Sequence, residues 1–233
     1  MIKQSAADRI YHSAKGLFYE RGYKKTTTRH ITREADANLG LIKYYFDSKK
    51  VIAYRVLDDY FHEIYYSIAN YVNEDEDPLL YSYTFTHTIV SLMFQDPKVE
   101  RFILESLTNE VMDHLEGALL KSPFYTISEK ILKEHSFSEI LDTEQTILLN
   151  LTAFHNTLKS IGSIRRQRPD SFTPFQLRIY QFKMTYFGLG LIVSEKDQKL
   201  EEAYELSNRI IKETPFLNAP ETFFTSPQNS LRW

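Results

Sequence analysis

The 233-residue chain contains no cysteine. This absence excludes disulfides, thiolate metal sites and a cysteine nucleophile. Only seven glycines occur, and no stretch alternates β-branched with polar residues, so the sequence favours an all-helical protein. No run of about eighteen apolar residues occurs, and no signal-like apolar segment follows Met1. We therefore expect a soluble, cytoplasmic protein with no membrane partner.

Apolar side chains make up 42% of the chain, which is enough to bury a full core in one or two domains. The charge is divided unevenly. Residues 1–50 hold eleven Lys and Arg against five Asp and Glu, a net charge of +6. Because the whole chain carries −3, residues 51–233 carry −9. A basic N-terminal segment on an acidic body favours a polyanionic partner for that segment only.

Residues 26–50 contain two short helical patterns separated by a tight bend. In the first pattern, 27–35, Ile31 and Ala35 lie one turn apart and predict an inward face. The bend follows at 36–38, in the order Asp, Ala, Asn. Asp and Asn tolerate left-handed backbone angles better than most residues, and the asparagine can cap the helix that follows.

The second pattern, 39–46, places Ile42 and Phe46 four positions apart, so both side chains should pack inward. The other side chains are left for a DNA groove and its phosphates: Leu39, Gly40, Lys43, Tyr44 and Tyr45. An ordinary bent helix pair with a solvated basic face has the same spacing, because helix pairs with short turns are common in all-α proteins. The positive charge of residues 1–50 favours the DNA interpretation.

Residues from about 10 to 57 resemble the N-terminal domain of the TetR family of bacterial transcriptional repressors. The matching features are Ala14, Leu17 and Phe18, then Arg21-Gly22-Tyr23, Thr26-Thr27, Ile31, Ala35, the stretch Gly40 to Phe46, and Ser48-Lys49. The resemblance implies a helix-turn-helix whose second helix enters the major groove. The DNA-binding residues that it implies are Thr27, Thr28, Arg29, Asn38, Leu39, Gly40, Lys43, Tyr44, Tyr45 and Lys49.

The sequence departs from the family pattern at three positions. Asp36 stands where Gly is usual, Thr32 where a small residue such as Ala is usual, and Lys43 where Tyr is frequent. Asp36 can still make the bend. Lys43 can replace a phenol-to-phosphate hydrogen bond by a charge contact.

Apolar spacing predicts helices through the rest of the chain. The predicted helices cover 4–21, 48–73, 79–95, 97–119, 124–135, 142–167, 174–194 and 196–212, and residues beyond 215 have no predicted secondary structure. We therefore expect an all-α protein with a three-helix DNA-binding domain at 1–47 and a larger helical ligand-binding and dimerisation domain at 48–214. A C-terminal tail at 215–233 follows.

Two of these helices carry narrow apolar seams that step by three and four positions. The seam residues are Ile147, Leu151, Phe154, Leu158 and Ile161 on the first, and Ile179, Phe182, Tyr186, Leu189 and Val193 on the second. Such seams occur where helices meet at shallow angles, either in an internal core or in a four-helix interface between two subunits. The family resemblance favours the homodimer interface, with Gly162, Gly188 and Gly190 allowing close approach. A two-fold dimer is also what a helix-turn-helix needs to bind two half-sites.

The middle of the chain is crowded with aromatic, Met and His side chains: Phe85, His87, Met93, Phe94, Phe102, Met112, His114, Phe154 and His155. This composition is typical of a small-molecule pocket and equally of a helical core. The family resemblance favours a pocket. Since no cluster of buried cations is visible in the sequence, we expect an effector that is mainly apolar or aromatic.

Enzymatic interpretations find little support. Gly188-Leu189-Gly190 lacks the third glycine of a dinucleotide loop, and Glu110 and His114 have no third metal ligand at helical spacing. We expect no cofactor, no metal and no catalytic site. The sequence predicts a homodimeric, ligand-responsive DNA-binding regulator, most simply a repressor. The alternative is a protein of the same fold that has lost DNA binding and binds a ligand or a protein partner.

Overall fold

The computed structural model describes residues 5–107, 123–135 and 141–226, and within these ranges the chain forms helices and no strand. The all-α prediction is therefore confirmed. The helices are α1 (Ala6–Arg21), α2 (Thr28–Glu34), α3 (Gly40–Phe46), α4 (Lys49–Ile68), α5 (Pro78–Gln95), α6 (Pro97–Ser106), α7 (Pro123–Glu134), α8 (Thr143–Gln167), α9 (Pro174–Phe187), α10 (Gln198–Glu213), α11 (Pro215–Asn218) and α12 (Pro220–Thr225).

The first three helices, residues 5–47, form a small N-terminal domain that we call the head. Its inward-facing positions are buried as the helical spacing predicts: Ile10, Ala14, Leu17, Phe18, Ile31, Ala35, Ile42 and Phe46. Gly22 ends α1 with a φ of 83°, and its N–H donates to the carbonyl of Phe18 at 2.9 Å. That backbone angle suits glycine, which has no Cβ to clash.

Helix α5 is the central element of the larger domain, which we call the body. It packs against α4, α6, α7, α9 and α10 and is buried along nearly its whole length. Its buried hydroxyl groups find partners on other helices. The hydroxyls of Ser82 and Thr86 lie 2.8 and 3.0 Å from the Tyr186 hydroxyl, and Thr88 donates to Ser207 at 3.2 Å. These hydrogen bonds offset the cost of burying polar groups.

Three predicted helix ends were placed too late in the chain. Helix α4 ends at Ile68 rather than at 73, because the N–H groups of Tyr71 and Val72 both turn back to the carbonyl of Ile68. Helix α6 ends at Ser106, so the predicted helix 97–119 is not continuous, and residues 108–119 of it lie outside the described residues. Helix α9 ends at Phe187 rather than at 194, since the glycines at 188 and 190 interrupt it.

The C-terminal segment was predicted without secondary structure, and this prediction was wrong for residues 215–225. Pro215 and Pro220 each occupy the first position of a short helix, where a missing N–H costs nothing. Phe223 and Phe224 on α12 are buried against α1 and α4. Helix α12 is therefore part of the core.

The predicted dimer seam lies inside the single chain. All ten residues are less than a tenth exposed: Ile147, Leu151, Phe154, Leu158, Ile161, Ile179, Phe182, Tyr186, Leu189 and Val193. The physical reason is that α8 and α9 pack against each other, while α9 also packs against α5 and α8 against α6 and α7. A Cβ on Gly162 would clash with Leu104, and one on Gly188 would clash with Asn150. Both glycines thus allow close packing within one chain.

Two further features bear on the class of protein. Among residues 5–107, 123–135 and 141–226, no helix is long and apolar enough to cross a membrane. In the same ranges, no three His, Asp or Glu side chains are grouped as ligands for a metal ion.

Candidate nucleic-acid interface

The start of α2 is fixed by a reciprocal pair of hydrogen bonds. The side-chain oxygen of Thr27 accepts from the backbone N–H of His30 at 3.2 Å, and Nδ1 of His30 accepts from the N–H of Thr27 at 3.3 Å. This arrangement is a capping box, which satisfies two N–H groups that the first turn leaves unpaired. It leaves Thr27 and Arg29 exposed and Thr28 half-buried on the outer side of the head.

The bend between α2 and α3 is held by an arginine from α1. Nε of Arg9 donates to the carbonyl of Ala35 at 3.0 Å, and Nη2 donates to that of Asp36 at 3.3 Å. Asp36 itself has a φ of 45°, in the left-handed region that the sequence predicted for this bend. Sequence reasoning missed Arg9, because nothing in its local pattern indicates a contact with a segment so far along the chain.

The first turn of α3 is stabilised by Asn38. Its side-chain oxygen accepts from the N–H of Gly40 at 2.9 Å, although the N-cap position of α3 is occupied by Leu39 and not by Asn38. Leu39 and Gly40 beside it are exposed, with Leu39 exposed over 46% of its surface. The N-terminal end of α3 therefore presents these three residues to solvent together.

The outer face of α3 carries an exposed lysine and two tyrosines. Tyr44 is 78% exposed, and its ring meets that of half-buried Tyr45 edge to face at 4.8 Å. Lys43 is exposed and forms a salt bridge with Asp47 one turn later. Because that pair is solvent-exposed, its net strength is small, and the lysine can exchange the carboxylate for a phosphate.

Asp47 makes an unusual turn between α3 and α4. Its backbone has φ 64° and ψ −48°, and the N–H of Ser48 donates to the carbonyl of Phe46 at 2.7 Å. Together these values describe a γ-turn of the rare, strained form. Ser48 then caps α4 by accepting from the N–H of Val51 at 3.4 Å. The sequence analysis did not predict this turn.

Lys49 lies within the head rather than standing free on its surface. Its Nζ donates to the carbonyls of Tyr23 at 3.0 Å and Thr26 at 2.8 Å, and it lies 4.0 Å from the centre of the Tyr23 ring. Partial burial lowers the pKa of this lysine. Lys49 therefore ties the start of α4 to the loop before α2, a role that the sequence analysis did not predict.

The head is joined to the body by α6 as well as by α4. Nη2 of Arg101 donates to the carbonyls of Tyr19 at 2.7 Å and Glu20 at 2.9 Å, at the end of α1. The Glu105 carboxylate accepts from the N–H of Lys24 at 2.9 Å. These bonds satisfy carbonyls and an amide at and beyond the end of α1, and they join α6 directly to the head.

The candidate ligand-pocket residues divide between two places. Phe85 and Phe154 approach each other through the ring of Phe124, which lies 5.8 Å from the first and 6.0 Å from the second. His155 is buried beside Phe154, and burial lowers its pKa to about 4. These side chains form an aromatic cluster in the body.

The remaining candidates lie elsewhere. Phe102 stacks instead on Phe18 of the head, with 5.9 Å between ring centres. Met93 is buried in the core of the body. Met112 and His114 lie outside the described residues. Of the predicted pocket residues, the structure therefore brings Phe85, Phe154 and His155 together.

Comparison with known proteins agrees with this geometry. Residues 10–55 match the family model for bacterial regulatory proteins of the tetR family. Over 166 residues the chain is 24% identical to the Probable HTH-type transcriptional regulator YttP of Bacillus subtilis (strain 168), covering 69% of this chain and 76% of that protein.

Solved structures share the fold at low sequence identity. RolR in complex with the ligand resorcinol has a TM-score of 0.58 and 16% identity, covering 88% of this chain and 93% of RolR. TylP, a TetR regulator from Streptomyces fradiae, has a TM-score of 0.50 and 15% identity, covering 88% and 91%. Residues 10–55, which match the family model, extend from α1 to the start of α4 and include the helix-turn-helix of α2 and α3. The chain is thus similar to bacterial regulatory proteins of the tetR family over residues 10–55, and it shares the fold of the solved structures RolR and TylP.

Proposed function

We propose that the protein is a cytoplasmic homodimeric repressor that binds operator DNA through its two heads and is released by a small molecule bound in the body. The observation that carries the proposal is the outer surface of α2 and α3. Thr27, Arg29, Leu39, Lys43 and Tyr44 are all exposed there, on a domain whose opposite side is packed. Cations and phenols suit phosphate oxygens, and a short helix fits the major groove.

Each exposed residue has a distinct proposed role. Asn38, Leu39 and Gly40 at the start of α3 lie nearest the base edges. Lys43 and Tyr44 bind phosphates on one side of the groove, while Thr28, at the start of α2, binds phosphates on the other. These roles follow the family resemblance. The exposure of the α3 residues supports theirs, whereas Thr28 is half-buried.

The proposed dimer surface is the outer face of α8 and α9. Leu149 on α8 is 58% exposed, and Tyr180, Met184 and Phe187 on α9 are 52%, 39% and 63% exposed. Exposed apolar side chains grouped on neighbouring helices often mark an interface. The proposed two-fold axis passes through this surface, because a helix-turn-helix protein needs two copies to bind two half-sites on one duplex.

The proposed effector binds near the aromatic cluster of Phe85, Phe124 and Phe154. RolR, which shares the fold, was crystallised with resorcinol. A ligand that favours one arrangement of α4 and α6 would change the spacing of the heads, because both helices contact α1. The shift is limited by the difference between the ligand's affinities for the two arrangements.

Point variants in α3 test the DNA-binding role. On duplex DNA from upstream of the protein's own coding region, measured by fluorescence anisotropy, we expect Lys43→Ala to weaken binding to all sequences alike. It should also reduce the salt slope by about one per protomer, because each head loses one phosphate contact. Lys212→Ala, which removes an exposed lysine of the body, is the matched control and should leave both quantities unchanged. Equal effects of the two substitutions would exclude α3 as the binding surface.

A second candidate function has structural support of its own. Lys43 is paired with Asp47, and Lys49 is held by backbone carbonyls, so a protein of this fold could bind an effector or a protein partner without binding DNA. Absence of any measurable affinity for the upstream duplex at low salt would favour that function.

A further inference from the structure

A small cavity of about 250 Å³ lies between α5, α9 and α10, away from the aromatic cluster of the body. Its polar lining comes from His87, Arg178 and Tyr204, and its apolar lining from Phe175, Ile179 and Leu200. These residues come from distant parts of the chain. For that reason, no cluster of cations was visible in the sequence.

His87 is a buried group with unused hydrogen-bonding capacity. It is 4% exposed, and neither ring nitrogen has a hydrogen-bond partner, although the backbone of Leu200 approaches the ring. The centre of its ring lies 4.3 Å from that of Phe182, with the two planes tilted by 39°, and 5.6 Å from that of Tyr204. Burial, and then the nearby Arg178 cation, lower its pKa to about 3, so the ring is neutral and carries one N–H donor.

Arg178 brings a permanent positive charge to the same cavity. Its guanidinium carbon lies 4.7 Å from the centre of the Tyr204 ring, and its Nε is buried without a hydrogen-bond partner. The rest of the guanidinium hydrogen-bonds the Tyr204 hydroxyl. Buried polar atoms in folded proteins are nearly always paired, so the unpaired Nε of Arg178 beside the unpaired ring of His87 indicates that a bound molecule supplies their partners.

We propose that this cavity binds a small monocarboxylic acid. Its carboxylate lies between Arg178 and His87, and its apolar or aromatic part packs against Phe175, Ile179 and Leu200. A carboxylate accepts hydrogen bonds from a guanidinium and from an imidazole N–H at the same time, and a charged acceptor strengthens both bonds. The volume admits an acid with a single ring or a short chain.

The acidic residues at the edge of the cavity restrict the ligand to one negative charge. Glu195 is paired with Lys183 at 2.9 Å, and Glu201 is exposed at the rim. Each carboxylate would repel a second negative charge on the ligand. A phosphate or a dicarboxylate is therefore disfavoured relative to a monocarboxylate.

The cavity borders the proposed dimer surface, because Tyr180 lines an adjoining opening together with Phe175 and Ile179. Helix α9 has about 3.6 residues per turn, so Arg178 lies close to half a turn from Tyr180. Tyr180 belongs to the proposed dimer surface, whereas Arg178 faces α5 and α10 with the rest of the cavity lining. Binding here goes beyond the proposed operator function and is measured without DNA, so failure of one does not imply failure of the other.

Isothermal titration of the full-length protein with sodium benzoate tests the site, with uncharged benzamide as the matched probe. We expect benzoate to bind at least about tenfold more tightly than benzamide, because only benzoate carries the charge that Arg178 recognises. Arg178→Gln should weaken benzoate binding by about tenfold or more. Arg209→Gln removes an exposed arginine of α10 outside the cavity and should change it by less than about twofold.

The ring resonances of His87 provide a readout that does not depend on a variant. They should shift on addition of benzoate and not on addition of benzamide. Equal affinity for the two probes, no binding of benzoate at millimolar concentration, or an Arg178→Gln protein that is folded and binds benzoate as tightly as wild type would overturn the proposal. Circular dichroism establishes that each variant is folded.

Discussion

Asp36 holds the bend of the helix-turn-helix with a backbone φ of 45°. Left-handed angles cost an ordinary side chain roughly 1 kcal/mol, whereas glycine adopts them freely. We expect Asp36→Gly to raise the free energy of unfolding by about 0.5–1 kcal/mol and Asp36→Ala to lower it. Both substitutions remove a negative charge near the proposed DNA surface and should strengthen DNA binding alike. Chemical denaturation measures the first effect, and a stabilising Asp36→Ala would show that the backbone angle is unimportant.

Lys15 is fully buried on α1, 3.5 Å from the centre of the Phe223 ring, and its Nζ has no hydrogen-bond partner. Burial lowers its pKa to about 8, and the nearby carboxylates of Asp59 and Glu63 oppose this effect. A charge without water is costly to bury, so we expect Lys15→Met to raise the free energy of unfolding at pH 7 by about 1–3 kcal/mol.

The pH dependence of that difference tests its cause. Below about pH 8 the lysine is charged in both the folded and the unfolded chain. Between pH 8 and the usual lysine pKa of about 10.5, the folded chain loses the proton first, so the free energy of unfolding of the wild type rises with pH. The difference in stability between Lys15→Met and the wild type therefore becomes smaller. Denaturation at pH 7 and pH 9.5 measures the change. A gap that is constant with pH would exclude the buried charge as its source.

The burial of single residues in the head could be predicted where helical spacing alone decides it. Ile31, Ala35, Ile42 and Phe46 are such cases. The contacts of Lys49 could not be predicted, because its two carbonyl partners are brought near it only when α1 and α4 pack together.

At the scale of elements, α12 joins three other helices. The Phe224 ring stacks on Tyr19 of α1 at 4.8 Å, meets Phe102 of α6 edge to face at 5.5 Å, and lies 5.2 Å from Tyr60 of α4. The last described helix therefore connects the head with both helices that support it. An effector that moves α6 would also have to move α12.

Removal of the Phe224 ring should weaken the packing of α12 against α1, α4 and α6. We expect Phe224→Ala to lower the free energy of unfolding by about 3–5 kcal/mol, the usual cost of deleting a buried phenylalanine. Glu221→Gln changes an exposed residue of the same helix and should stay within about 0.5 kcal/mol of wild type. Thermal and chemical denaturation measure both variants. A stable Phe224→Ala protein would show that the end of the chain contributes little to the core.

The helices of the head and the start of the body could be predicted from spacing and caps, whereas α11 and α12 could not. Each is shorter than two turns, so neither has an apolar stripe to detect. Prolines at 215 and 220 were the available signal, since proline favours the first position of a helix.

At the scale of the whole molecule, the sequence could not show whether an apolar seam packs within one chain or between two subunits. The seam of α8 and α9 has the spacing of a helix-packing surface, but spacing does not specify whether the partner helix belongs to the same chain. The structure shows that it does. Other residues of the same two helices, with Tyr180 and Met184 among them, are exposed, and they form part of the proposed dimer surface.

Glutamate substitutions test the proposed dimer surface of α8 and α9. We expect the wild-type protein to elute with twice the chain mass at micromolar concentration, and the double variant Met184→Glu with Phe187→Glu to elute as a monomer. Buried like charges repel each other across a two-fold axis. Tyr66→Glu, which changes a half-exposed aromatic residue on α4, is the control and should stay dimeric. Light scattering after gel filtration gives the masses, and a dimeric double variant would place the interface elsewhere.

The basic head on an acidic body is the feature on which the proposed function depends. The most direct measurement is the affinity of the full-length protein for its upstream duplex as a function of salt concentration. Two heads that bind about six to ten phosphates should lose a factor of about 10³–10⁵ in affinity between about 50 and 200 mM salt, with two protomers per duplex. Affinity that does not change with salt, or no binding at low salt, would contradict a DNA-binding role for the head.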